Sequence, residues 1–200
     1  MKQKKKSAKG QRFRIIAAGA IIVIVATVAI LAYILLQPPP LTIRIEPANV
    51  SARTYPAGST FTVNVTVENA VDITAIQLDV RYDPSVLMVT SLSEGQFLES
   101  VGEIVTLANY TAQSMNNTLL ERVFYADTVA QGVPNWSGSG TLITITFKVT
   151  SNWTSSIQLY PFTENPNFNE GTYLLRAVNR SLSNPQYTNL IPALDSGTYS

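Results

Sequence analysis

The sequence predicts an all-β domain, a jelly-roll or immunoglobulin-like β-sandwich of about nine strands, behind one apolar N-terminal helix. Three observations lead there. Residues 76–83 alternate strictly, with Ile76, Leu78, Val80 and Tyr82 on one side and Gln77, Asp79, Arg81 and Asp83 on the other. A period of two belongs to a strand with one face in a core and the other in water. Thr60–Glu68 and Thr141–Val149 repeat the pattern, and no window between 41 and 200 sustains a helical period. Ahead of them lies a run of 22 residues without charge, Ile15–Leu36.

Residues 1–14 form a basic tail with seven of the fourteen lysines and arginines, and no Asp or Glu occurs before Glu46. Ile15–Leu36 would span roughly 33 Å as a helix, enough for a hydrocarbon core. The basic flank places the N-terminus in the cytoplasm and the C-terminus outside. Tyr33 falls near the outer end, where an amphipathic ring suits the interface. A cleaved signal peptide would have a shorter apolar region and a small-x-small site, which Leu35-Leu36-Gln37-Pro38 does not offer. A prepilin-type leader cut after Gly10 would leave Arg12 and Arg14 where an apolar stem should begin. A retained, single-pass anchor in the cell membrane is therefore the expectation, with the lipid bilayer as partner of Ile15–Leu36. Residues 37–41 carry Pro38-Pro39-Pro40, a stiff polyproline II spacer.

Residues 42–200 read as the extracellular sandwich. Thr42–Glu46 is a short first strand closed by Pro47. In Thr60–Glu68, Phe61, Val63, Val65 and Val67 point inward, and Thr62, Asn64 and Thr66 outward. The strand of residues 76–83 ends at Pro84, which has no N–H for the ladder, and Val86–Val89 resumes the core. Glu103–Ala108 and Arg122–Ala126 are further strands. In Thr141–Val149, Ile143, Ile145, Phe147 and Val149 share a face. Ile157–Phe162 and Tyr173–Val178 follow, and Thr198–Tyr199 closes the sheet.

These motifs, in this order, resemble the cohesin domain, the β-sandwich receptor module of cellulosome scaffolds. The similarity covers about 150 residues. It rests on Ala57-Gly58-Ser59-Thr60-Phe61-Thr62-Val63 at the start of the second strand, the Tyr82-Asp83-Pro84 turn, Glu94-Gly95, the strand from Gly140 to Val149, and Asp195-Ser196-Gly197 before the last strand. The resemblance implies a binding module without catalysis. It also implies a partner face on the strand of residues 75–83. In dockerin-binding cohesins that strand carries an outward Asn and Asp, six and four residues before the Arg of Arg-Tyr-Asp-Pro. Ala75 and Gln77 occupy those places here, so a standard dockerin is a doubtful partner. Ala75, Gln77, Asp79, Arg81 and Asp83 are the candidate partner face.

Composition narrows the chemistry. Residues 41–200 carry seven basic and thirteen acidic side chains, so the domain is acidic and nucleic acid is not expected as a partner. The chain has neither cysteine nor histidine, which removes disulfides, thiolate metal sites and His-based nucleophilic mechanisms. Asp79 and Asp83 could hold calcium, but a solvated ladder with an Asp-capped turn accounts for both. No metal or cofactor site is expected. No carboxylate pair stands out for glycoside hydrolysis.

Seven Asn-x-Ser/Thr sequons begin at Asn49, Asn64, Asn109, Asn116, Asn135, Asn152 and Asn179, where composition alone would give about three. Asn64 lies on an outward strand face, as a glycan requires. Trp136 and Trp153 flank the Gly140–Val149 strand inside sequons. They suit either sugar stacking or covering an open end of the core. Lys148, the last lysine, has outward parity, which argues against a buried isopeptide crosslink. The expected function is a cell-surface binding or display module for an extracellular protein or polysaccharide. The alternatives are a subunit of a surface filament or envelope layer, and last a polysaccharide-degrading enzyme.

Overall fold

The computed structural model describes residues 23–100, 104–113, 120–130, 134–163, 171–179 and 186–200, and the chain divides after Pro39 into two compact units. In the first, residues 23–36 form a helix, α1, with every side chain exposed. Among the described residues no helix is long and apolar enough to cross a membrane. Residues 15–22 of the expected span, and the basic tail, lie outside them.

The second unit holds β1 (Thr42–Glu46), β2 (Asn49–Val50), β3 (Thr60–Ile73), β4 (Ala75–Tyr82), β5 (Leu87–Glu94), α2 (Gln96–Glu99), β6 (Ile104–Gln113), β7 (Glu121–Val129), β8 (Trp136–Val149), β9 (Ser155–Leu159), β10 (Tyr173–Asn179), β11 (Gln186–Leu190), β12 (Ala193–Asp195) and β13 (Gly197–Tyr199). One sheet runs β12-β1-β3-β8-β5; the other runs β11-β10-β4-β9-β13-β2, with β7 on the second edge of β4 and β6 beyond β7. The sheets close on one core. Phe61, Val63, Val65, Ile143, Ile145 and Phe147 from the first meet Ile76, Leu78, Val80 and Tyr82 from the second, and Tyr82 meets Phe147 edge-on with ring centroids 5.1 Å apart. The alternation in β3, β4 and β8 thus buries the side that the sequence assigns inward.

Thirteen strands among the described residues exceed the expected nine. Among the additions, β2, β11 and β12 have two to five residues, too short to show a period. β3 runs past Glu68 to Ile73 through register shifts at Val67/Ala70 and Ala70/Ile73. Asn69 and Asp72 take positive φ there, 58° each, a conformation that Asn and Asp tolerate better than other side chains. Their amides donate to Ser139 and Ser137 hydroxyls at 3.0 and 2.9 Å. At the start of α2, the Gly95 amide donates to the Leu142 carbonyl at 2.8 Å. A Cβ on Gly95 would run into the Thr141 carbonyl.

Candidate interaction face

At the outer face of β4 the structure reverses the sequence reading. Gln77, Asp79 and Arg81 have the expected parity, yet all three are buried. β4 pairs with β7 on one edge, in the register Gln77↔Ala126, Asp79↔Phe124 and Arg81↔Arg122. On the other edge it pairs with β10 at Ala75–Gln77 and with β9 at Val80–Arg81. The gap between those two pairings is filled by the chain at Tyr160 and Thr172. The Tyr160 amide donates to the Asp79 carbonyl at 2.8 Å, and the Asp79 amide donates to the Thr172 hydroxyl at 3.1 Å. This crossing, joined by a Pro161↔Thr172 bridge, completes the edge of β4 and brings the Tyr160 ring and the Gly171 carbonyl against Arg81 and Gln77, on the side that periodicity assigns to water.

Beneath it lies an ionic cluster. Asp79 and Arg81 stand two residues apart on one strand face, so the guanidinium reaches back in a fork. Arg81 Nε donates to Asp79 Oδ1 at 3.2 Å, and Arg81 Nη2 to Oδ2 at 3.0 Å. Arg122, across the ladder, brings Nη1 to 3.6 Å from the same Oδ2. The Tyr160 ring stacks over Arg81, 3.2 Å from Cζ to centroid, and Phe124 lies 5.0 Å from the Arg122 Cζ. Planar guanidinium suits both the bidentate carboxylate and the aromatic cover. Gln77 is held as firmly: Nε2 donates to the Gly171 carbonyl at 2.9 Å and Oε1 accepts from the Tyr173 hydroxyl at 3.1 Å. Burial raises the pKa of that hydroxyl. Gly171 takes φ +98°, and a Cβ there would meet the Pro161 carbonyl. Ala75 is half-buried at the end of β4, opposite Thr128 and Leu175.

Asp83 behaves as the turn chemistry predicts, accepting from the Ser85 amide at 2.8 Å and the Ser85 hydroxyl at 2.6 Å. Asp79 and Asp83 therefore serve different ends. The solvated-ladder account fails for Asp79, whose oxygens face arginines. No group of three or more metal-binding side chains occurs among the described residues. Trp136 is corrected as well: it opens β8, is fully buried, and its indole N–H donates to the Leu98 carbonyl at 3.0 Å. It caps the core and cannot stack on a sugar. Trp153 is 78% exposed.

Among the sequon asparagines, Asn49 and Asn152 are exposed, and Asn64 and Asn135 half-buried. Asn109 and Asn179 lie in β6 and β10 with side chains outside the described residues, and Asn116 lies outside them altogether.

The residues that sequence reasoning missed are Arg122, Thr172 and Gly171, which reach β4 only through pairing and the crossing. Asp127 is a second omission. It continues the inward parity of Val123 and Tyr125 and is fully buried. It accepts from the Tyr125 hydroxyl and the Thr128 amide, each at 3.0 Å. Burial, the largest cause, raises its pKa, and Glu94 adds to the rise against those two hydrogen bonds. One more residue of strand would have exposed this inward carboxylate.

The domain is an acidic β-sandwich whose β4 face is held by a bidentate ion pair, a second guanidinium and aromatic cover. Residues 47–177 match the cohesin domain family. The chain belongs to that family, whose members are non-catalytic protein–protein interaction modules. Among solved structures it resembles a type II cohesin from the cellulosome of Acetivibrio cellulolyticus, at 20% identity and TM-score 0.53 over 80% of this chain and 95% of that one. The cohesin–dockerin complex Coh-OlpA-Doc918, of type I, from Clostridium thermocellum gives 20% identity and TM-score 0.51 over 81% and 99%. A non-cellulosomal cohesin from the archaeon Archaeoglobus fulgidus gives 19%, TM-score 0.48, and 80% and 90%. Among curated protein sequences no match is found.

Proposed function

We propose that this protein is a cell-surface receptor module of cohesin type, held by its N-terminal apolar run and binding a protein partner through the half-buried side chains of β7 and β10 that border the covered outer face of β4. The observation that carries this reading is the ordering of that face. Asp79, Arg81, Arg122 and Gln77 are locked by hydrogen bonds, ion pairs and aromatic cover, and a surface ordered in advance loses little entropy on binding. The uncharged run behind seven basic residues supports the anchor. A solved relative is a cohesin–dockerin complex, so dockerins stand among the expected partners, and the doubt drawn from Ala75 and Gln77 has no support in the comparisons. For those two positions the consequence is narrower: Gln77 is spent within the chain, and contacts must come from neighbours such as Phe124, Thr128 and Leu175. A polysaccharide partner has lost Trp136 and rests on Trp153 alone.

The test is titration of residues 40–200 with calcium-loaded dockerins and with surface proteins of the source organism. Ala75→Arg and Leu175→Glu, register partners on this face, should each weaken binding at least about tenfold, or about 1.4 kcal/mol. Thr62→Arg, exposed on the opposite sheet, should not. Equal loss from all three, or from none, moves the binding surface elsewhere. A second reading, self-association into a surface layer, is favoured by β6. Among the described residues this strand pairs only with β7 and exposes Val105 and Leu107, an unprotected sheet edge. Concentration-dependent oligomers abolished by Leu107→Lys would support it.

A further inference from the structure

The sequon asparagines whose side chains are described are not equivalent. Asn135 directs Nδ2 at the Asp72 carboxylate and carbonyl, and its next residue is the core Trp136. Asn64 lies in mid-strand between fully buried Val63 and Val65 and accepts from the Thr144 hydroxyl at 2.9 Å. Asn49 is exposed, but on a strand laddered to β13.

Asn152 differs from all of them. It is exposed in the loop between β8 and β9, followed by exposed Trp153 and Thr154. Its Oδ1 accepts from the Ala57 amide at 2.7 Å. That donor is a backbone N–H, so the oxygen must be the inward atom and Nδ2 the outward one. The Trp153 amide donates to the Ser151 hydroxyl at 3.2 Å, which holds the loop in a bend. The asparagine is thus presented nitrogen-first, with the hydroxyl two residues on equally accessible. An independent observation points the same way. Trp153 is the most exposed aromatic among the described residues, and an indole in water without a partner invites the apolar face of a sugar.

We propose that Asn152 is an N-glycosylation site and that the first sugars of its glycan lie over the Trp153 indole. The bond formed joins Nδ2 to C1 of the sugar. The bond broken is the C1–O bond to the phosphate of a polyprenyl-linked oligosaccharide donor, and the amide proton leaves with that phosphate. Asn135, by contrast, stays unmodified. The inference rests on the cell-surface reading, because the donor is used on the outer side of the membrane.

Trypsin separates the two sites cleanly: residues 123–148 contain only the Asn135 sequon and residues 149–176 only that of Asn152. Mass spectrometry of the full chain from its source cells should find 149–176 carrying a glycan and 123–148 bare. Thr154→Ser should keep the modification, and Thr154→Ala and Asn152→Gln should lose it. The chain has two tryptophans, one of them buried, so acrylamide quenching reports Trp153 and should rise in Asn152→Gln. Unchanged quenching with a glycan present would overturn the stacking. A bare 149–176 peptide in a domain that external protease cleaves on intact cells would overturn the glycan site and leave the location standing. A domain beyond reach of that protease would overturn both.

Discussion

Asp79 holds two guanidiniums in a place closed to water. Asp79→Asn keeps the shape but leaves Arg81 and Arg122 buried against a neutral group. The cost of breaking such a buried pair is about 3–5 kcal/mol, to be read as a drop in the urea midpoint of residues 40–200. The tryptophans should separate as sharply. Trp136→Phe removes the indole donor to the Leu98 carbonyl, costing about 1–3 kcal/mol, whereas Trp153→Phe should stay within about 0.5 kcal/mol. Asp127 makes stability depend on pH. Its folded pKa lies above the ordinary carboxylate value, so its contribution is fully present below about pH 4 and is lost as pH rises through the raised value. Asp127→Asn removes that loss. The difference in unfolding free energy between wild type and variant should therefore move toward the variant as pH is raised from about 4 to 7. A constant difference would mean that Asp127 titrates normally.

At the scale of elements, β3, β4 and β8 were legible because each buries one face over many residues, and a period of two then leaves no other register. The outer face of β4 was not legible. The same alternation of polar residues describes a strand washed by water and a strand roofed by another part of the chain. What distinguishes them here is the crossing at Tyr160 and Thr172, some eighty to ninety residues away in sequence. Arg122 was hidden for a related reason: only strand pairing brings it opposite Arg81. The four-residue helix α2 was too short for a helical period, yet its glycine stood in the sequence as part of Glu94-Gly95. Gly95→Ala would drive a methyl into backbone that cannot swing aside. We expect about 1–3 kcal/mol of destabilisation, seen as a lowered thermal midpoint; Gly58→Ala, where the space is open, meets no such clash and carries only the strain of its positive φ.

For the whole molecule, the proposed anchor predicts that the protein stays with membranes through carbonate extraction while residues 41–200 are open to external protease. A mature chain starting near Gln11 or Gln37 would remove the anchor and leave the domain outside. The topology gives such a tether a mechanical meaning. β1 begins where the chain leaves its proline spacer, and it is flanked on both sides, by β3 and, in parallel, by β12. The Leu41 carbonyl already accepts from the Ala193 amide. Consider a pull on Leu41 directed along the axis of β1. It loads the hydrogen bonds of both ladders at once, in shear, instead of peeling them open one at a time. A domain built this way yields late to force applied through its N-terminus, as a receptor tugged by its cargo would need to.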